Sequence, residues 1–262
     1  LSLATGVMIA YTSRLPKESD VVNNAHMVSY MDVGFSFFAG IVVFATLGYM
    51  AVSTGENIAT VAQPGPGLAF IAYPTAISMM GATWGPIVGV MFFVMLFTLG
   101  IDSAFATIEA VVLAFKDSGY KYAKMALLVV GASFIVSLFF ATGGGYHWIW
   151  IVDHFVNEIG LVTIGILECF ILGHLYSTQK FMDAVNETSE IKVAQWWMIS
   201  VKYVTPLILT IILLAKIVLT ALHGYPEGES YAGWALFLGG IFPVILVIFL
   251  AFYMSGRLRP SA

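Results

Sequence analysis

Six apolar runs, at about residues 27–51, 85–115, 123–141, 148–176, 196–222 and 233–254, leave this chain few ways to fold. Each is long enough to cross the ~30 Å hydrocarbon core of a bilayer as a helix. In lipid, every backbone N–H and C=O has to be satisfied internally, which a helix achieves within one segment. The expectation is an all-α polytopic membrane protein, with residues 1–262 forming a single transmembrane domain whose immediate partner is the lipid bilayer. Composition agrees, because 60% of the residues are hydrophobic and 10% charged, against about 45–50% and 25% in water-soluble domains. The one cysteine, Cys169, excludes an internal disulfide, and nothing in the formal charge of −4 points to nucleic acid.

Orientation follows from where the cations sit. Arg14 and Lys17, then Lys116, Lys121 and Lys124, then Lys180 and Lys192, then Arg257 and Arg259 occupy alternate connections. The opposite connections, at residues 52–83, 142–147 and 223–232, contain neither Lys nor Arg. By the positive-inside rule the first set, and with it the C-terminus, is expected to be cytoplasmic. The cluster Tyr146, His147, Trp148 and Trp150 suits an outer interfacial belt. In the connection at 52–83, an apolar piece too short to span is bracketed by Pro64 and Pro74, as in a re-entrant or surface hairpin.

The run at 85–115 carries carboxylates where hydrocarbon is expected, and an ionisable residue at that depth is a functional candidate. Leu99, Asp102 and Ser103 fall within about one helical turn, and Thr107 extends their face by another. A carbonyl, a carboxylate and a hydroxyl at that spacing are hard oxygen ligands suited to a cation such as Na⁺. Elsewhere Asp32 and Ser36 share a face at i, i+4, while Asp153, Glu158 and Glu168 lie in the run at 148–176. Glu168 stands fifteen residues beyond Asp153, in the inner half, and needs a partner. Residues 1–13 are apolar but too short to span, as the remnant of a discontinuous helix would be. There Gly6 permits non-helical backbone, and freed carbonyls with Ser2 and Thr5 can receive an ammonium. The chain opens at Leu1 in mid-pattern, which reads as a fragment of a longer protein.

Three segments together resemble one family. FTLGIDSAFATIEA, residues 97–110, is similar to the eighth transmembrane helix of the neurotransmitter:sodium symporters, the LeuT-type amino-acid and amine transporters. GVMIAYTS, residues 6–13, resembles the second half of their sixth helix, and FATLGYMA, residues 44–51, the end of their seventh. The resemblance implies the C-terminal part of a 5+5 inverted-repeat fold, from mid-helix six to helix twelve. The missing N-terminal half, helices one to six-a, is then a partner.

It also implies roles. Leu99 through its carbonyl, with Asp102 and Ser103, would hold one sodium, and Asp32 another, each site being completed outside this chain. Asp32 stands where the family has an asparagine, and Ser36 where its animal members have a chloride-binding serine. A fixed carboxylate beside Na⁺ supplies the charge that chloride supplies elsewhere, so no chloride requirement is expected. Ser2, Leu3, Thr5, Ala104 and Thr107 would line the site for an amino acid or related amine. Ala4 and Thr5 replace a glycine and an aromatic residue of the best-known bacterial relative. Asp153 matches the outer-gate acid. Ser13, Glu109 and Asp117 fall in the inner-gate region, where Arg14 replaces an aromatic residue. The connection at 52–83 would be an extracellular gating loop, and the protein would sit in the plasma or inner membrane and work by alternating access.

No enzymatic motif is present, so no catalytic residue is assigned. Two rival readings stay open: a non-transporting scaffold or sensor on the same fold, and an intramembrane enzyme pairing Asp102 with Glu109 across about 10 Å.

Overall fold

The computed structural model describes residues 2–62, 65–117, 119–224 and 231–257, without the side chains at 117, 223 and 253–257. Leu1, Pro64 and Arg259, and the side chain of the gate candidate Asp117, therefore lie outside the described set. In order come α1 (Val7–Thr12), α2 (Val21–Thr54), α3 (Ile58–Val61) and α4 (Leu68–Ser78). Then follow α5 (Gly81–Asp117), α6 (Tyr122–Phe140), α7 (Gly145–Leu175), α8 (Thr178–Thr188), α9 (Gln195–Leu222) and α10 (Gly233–Phe252). Among the described residues there is no strand.

Helices α2, α5, α6, α7, α9 and α10 are long and apolar enough to cross a membrane. Large apolar side chains point outward from them, among them Phe35, Phe97, Leu127 and Phe252. In water such a surface would be prohibitive; against lipid and further helices it costs nothing. α2 begins six residues ahead of the apolar run at 27–51, and the reason is local. The Asp20 carboxylate accepts a bond from the Asn23 N–H at 2.9 Å, as an N-cap does, and carries Asn23, Asn24 and His26 into the helix.

The chain divides into two compact units, Asn24–Phe105 and Ser2–Asn23 with Ala106–Ala262. In the first, Leu47 and Met50 at the end of α2 bury against Val61 of α3 and Ala72 and Ala76 of α4. The connection after α2 is thus folded into short helices with an apolar core. α4 lies along the start of α5, where Tyr73 stacks on Phe92 with centroids 5.0 Å apart. Gly85 makes that approach possible, since a Cβ there would sit 3.0 Å from the Ile77 carbonyl oxygen.

In the second unit, α7 packs against α9 and α10. A Cβ on Gly165 would lie 3.4 Å from Leu209, and one on Gly239 would strike Trp148 and Ile151. Small residues admit close backbones where lipid provides no hydrophobic drive between helices. α7 widens to i→i+5 turns over His154–Leu161 and Ile171–Leu175, a departure often found at functional positions. The linker before α2 is stapled to the segment after α8. Asp20 accepts from the Glu190 N–H at 2.8 Å, Ser189 Oγ from the Val22 N–H at 3.3 Å, and Thr188 donates to the Ser19 carbonyl at 3.2 Å. Val22, Met182 and Val193 form the apolar seal beneath them.

Candidate functional site

The first site element is backbone. Ser2 and Ala4 adopt φ of 49° and 59°, and Gly6, which precedes α1, has φ of 80°. Alternate left-handed residues cannot belong to a helix, so the segment leading into α1 is unwound. For L-residues that conformation costs about 1–2 kcal/mol each. Thr5 Oγ1 donates to the Ser2 carbonyl at 2.6 Å and braces the turn. Ser2, Leu3, Ala4 and Gly6 line a cavity of about 370 Å³ together with Met8, Ile9, Glu168, Ile171 and Leu172. Glu168, whose partner the sequence left open, thus faces the unwound segment.

The second element is the middle of α5. Leu99, Asp102, Ser103, Ala104 and Thr107 follow one another along a continuous helix and are exposed in this chain. Their donor set of carbonyl, carboxylate and hydroxyl oxygens matches a hard monovalent cation, and one helix supplies only part of a coordination shell. Asp32 and Ser36 stand one turn apart in the first half of α2, also exposed. Among the described residues, no three His, Cys, Asp or Glu side chains converge on a point, which leaves no cage for a transition metal.

Two polar constellations were not legible in the sequence. Just after α1, Arg14 Nη2 pairs with Glu109 Oε1 of α5 at 2.6 Å. Ser13, next to Arg14, turns its hydroxyl back onto the Ala10 carbonyl at 2.7 Å. The other constellation joins α7 to α9. His154 is fully buried, and its Nδ1 lies 2.7 Å from Glu158 Oε2. Lys216 Nζ donates to the same oxygen at 3.0 Å, and Thr220 Oγ1 is 3.1 Å from His154 Nε2. One turn away, Asn157 donates to the Asp153 carboxylate at 2.5 Å. Lys216 is the one charge in the apolar stretch from Val204 to Leu222, a signal that could have found the cluster.

Outside the spans, the Asp20 carboxyl is held below its ordinary range, first by the Glu190 amide and then by that of Asn23. Hydrogen bonds to the charged form favour it.

The model of the sodium:neurotransmitter symporter family matches residues 1–260. The chain belongs to that family. It is 40% identical over 251 residues to an uncharacterized sodium-dependent transporter of Methanocaldococcus jannaschii, covering 95% of this chain and 50% of the relative. It is 31% identical to the sodium- and chloride-dependent glycine transporter 2 of Xenopus laevis, covering 95% of this chain and 33% of the relative. To the sodium-dependent dopamine transporter of Bos taurus it is 31% identical, over 90% of this chain and 35% of the relative. The chain thus spans a third to a half of the length of these relatives, which are transporters and not enzymes. Sodium dependence is common to all three names; chloride appears in only one of them.

Proposed function

We propose that this chain is the C-terminal part of a sodium-coupled symporter for an amino acid or related amine, working by alternating access. The observation that carries this reading is the unwound segment at residues 2–6 in a member of this family. Left-handed backbone at Ser2 and Ala4 frees carbonyls that an ammonium group can occupy, and broken helices are tolerated at membrane depth only where they line a cavity. Ser2, Leu3 and Thr5 from that segment, with Ala104 and Thr107 of α5, would form this chain's share of the substrate site.

Leu99, Asp102 and Ser103 would hold one sodium and Asp32 a second, each completed by segments beyond this chain. A carboxylate at Asp32 makes chloride dispensable, in contrast with the named chloride dependence of the glycine transporter. Arg14 with Glu109, flanked by Ser13 and Asp117, would close the cytoplasmic side, and Asp153 would serve the outer gate. The connection at 52–83 would fold over the outer vestibule. Connections bearing Lys and Arg, and the C-terminus, would face the cytoplasm.

The test is Asp102→Ala in the full-length parent, followed by labelled amino-acid uptake and by the Na⁺-dependent rise in melting temperature. The reading expects both sodium effects to fall by at least about tenfold. Undiminished sodium dependence would remove Asp102 from the site.

A further inference from the structure

The cluster on α7 and α9 has no part in the sites above, yet it holds four polar groups at bilayer depth. We infer that His154, Glu158 and Lys216 form a charge-compensated clamp that fixes the outer half of α7 against α9. Asp153 and the wide turns beginning at His154 are thereby held as a rigid post. The inference rests on the transporter reading only in the role it gives to Asp153.

Glu158 Oε2 accepts from both Lys216 and His154, so the carboxylate and the ammonium compensate each other within hydrogen-bond distance. The carboxylate fixes His154 Nδ1 as a donor, and Nε2 meets the Thr220 hydroxyl at 3.1 Å.

Among the described residues, the neighbouring helices add few charges. α10 has no ionisable residue between Gly233 and Phe252. The only charged residue of α6, Lys124, lies at the end remote from α7. On α7 itself, Asp153 is engaged by Asn157. Lys216 is partly exposed, with 43% of its side chain accessible, and lies six residues from the end of α9. Losing Glu158 lets it snorkel toward the interface. Glu158 has no such escape, and losing Lys216 leaves a carboxylate whose one remaining donor in the cluster is His154. The two single substitutions should thus differ, and removing both charges together should cost less than removing Lys216 alone.

The experiment uses the full-length parent in detergent and in proteoliposomes, with Lys216→Met, Glu158→Gln, the double variant and Lys216→Arg. Melting temperature and substrate KM are measured in parallel. K216M should melt lower by on the order of 5 °C. E158Q should lose less, while the double variant and K216R should stay near the wild type. Where uptake is present, KM should rise several-fold in K216M, with the maximal rate changing less.

The absence of any K216M loss overturns the clamp, as does a double variant worse than K216M. If K216M alone fails to accumulate, an intact double variant supports the clamp and a failed one refutes it. Melting curves need no transport, so absence of uptake by the wild type would count against the symporter reading alone.

Discussion

Replacing Ala4 by glycine distinguishes an unwound segment from a helix by the sign of its effect. At φ of 59°, the Ala4 Cβ crowds the following carbonyl, at a cost of about 1–2 kcal/mol. Glycine removes that cost and returns about 0.4–1 kcal/mol to the unfolded chain as entropy. The net expectation is a stabilisation of about 0.5–1 kcal/mol, or a rise of roughly 1–4 °C for a domain of this size. Were residue 4 helical, the same change would destabilise by about 1 kcal/mol. Thermal unfolding of the purified full-length parent and its Ala4→Gly variant decides the matter. A lower melting temperature in the variant would refute left-handed backbone at this position, and with it the freed carbonyls on which the substrate site depends.

Other consequences can be measured separately. The Arg14 and Glu109 pair is half exposed, so breaking it with Glu109→Gln should cost about 0.5–1 kcal/mol. That shifts the balance toward inward-open forms two- to five-fold, readable as faster labelling of a cytoplasmic-side cysteine, and the swap of Arg14→Glu with Glu109→Arg should reverse it. Asp20, its carboxyl held below the ordinary 3.8 by the Glu190 and Asn23 amides, stabilises the staple fully above that value. The contribution fades as pH falls through the lower folded value. Acid melting curves should show this loss in the wild type and not in Asp20→Asn, whose cap bonds do not titrate. Asp32→Asn should restore a chloride requirement, if Ser36 can then bind the anion; uptake in gluconate equal to that in chloride would contradict the role given to Asp32.

How much of this was legible in the sequence depends on the range of the interaction. Length and hydrophobicity are local, so the helices at 122–140 and 195–222 emerge within a residue or two of the apolar runs. The early start of α2 was missed because it depends on the Asp20 cap, and Asp20 is held as well by an amide 170 residues away. The break before α1 was readable at Gly6, yet left-handed backbone at Ser2 and Ala4 runs against their side chains, and only the fold reveals it. Asp102 and Ser103 stand out in the sequence because a carboxylate in hydrocarbon is conspicuous, and α5 carries both on one continuous helix. The pairing of Arg14 with Glu109 and of Lys216 with Glu158 was not legible, since each joins segments far apart in sequence. Nothing in the sequence marks Gly239, and only the approach of Trp148 and Ile151, 2.7 and 2.9 Å from a Cβ there, shows why no side chain fits.

The central claim is sodium-coupled, chloride-independent uptake of an amino acid or related amine by the full-length parent. Its most direct test is transport of a labelled amino-acid panel into proteoliposomes, with Na⁺ replaced by choline and, separately, Cl⁻ by gluconate. The account predicts uptake of at least one substrate that collapses in choline and is unchanged in gluconate. Uptake indifferent to Na⁺, or lost with Cl⁻, would contradict it.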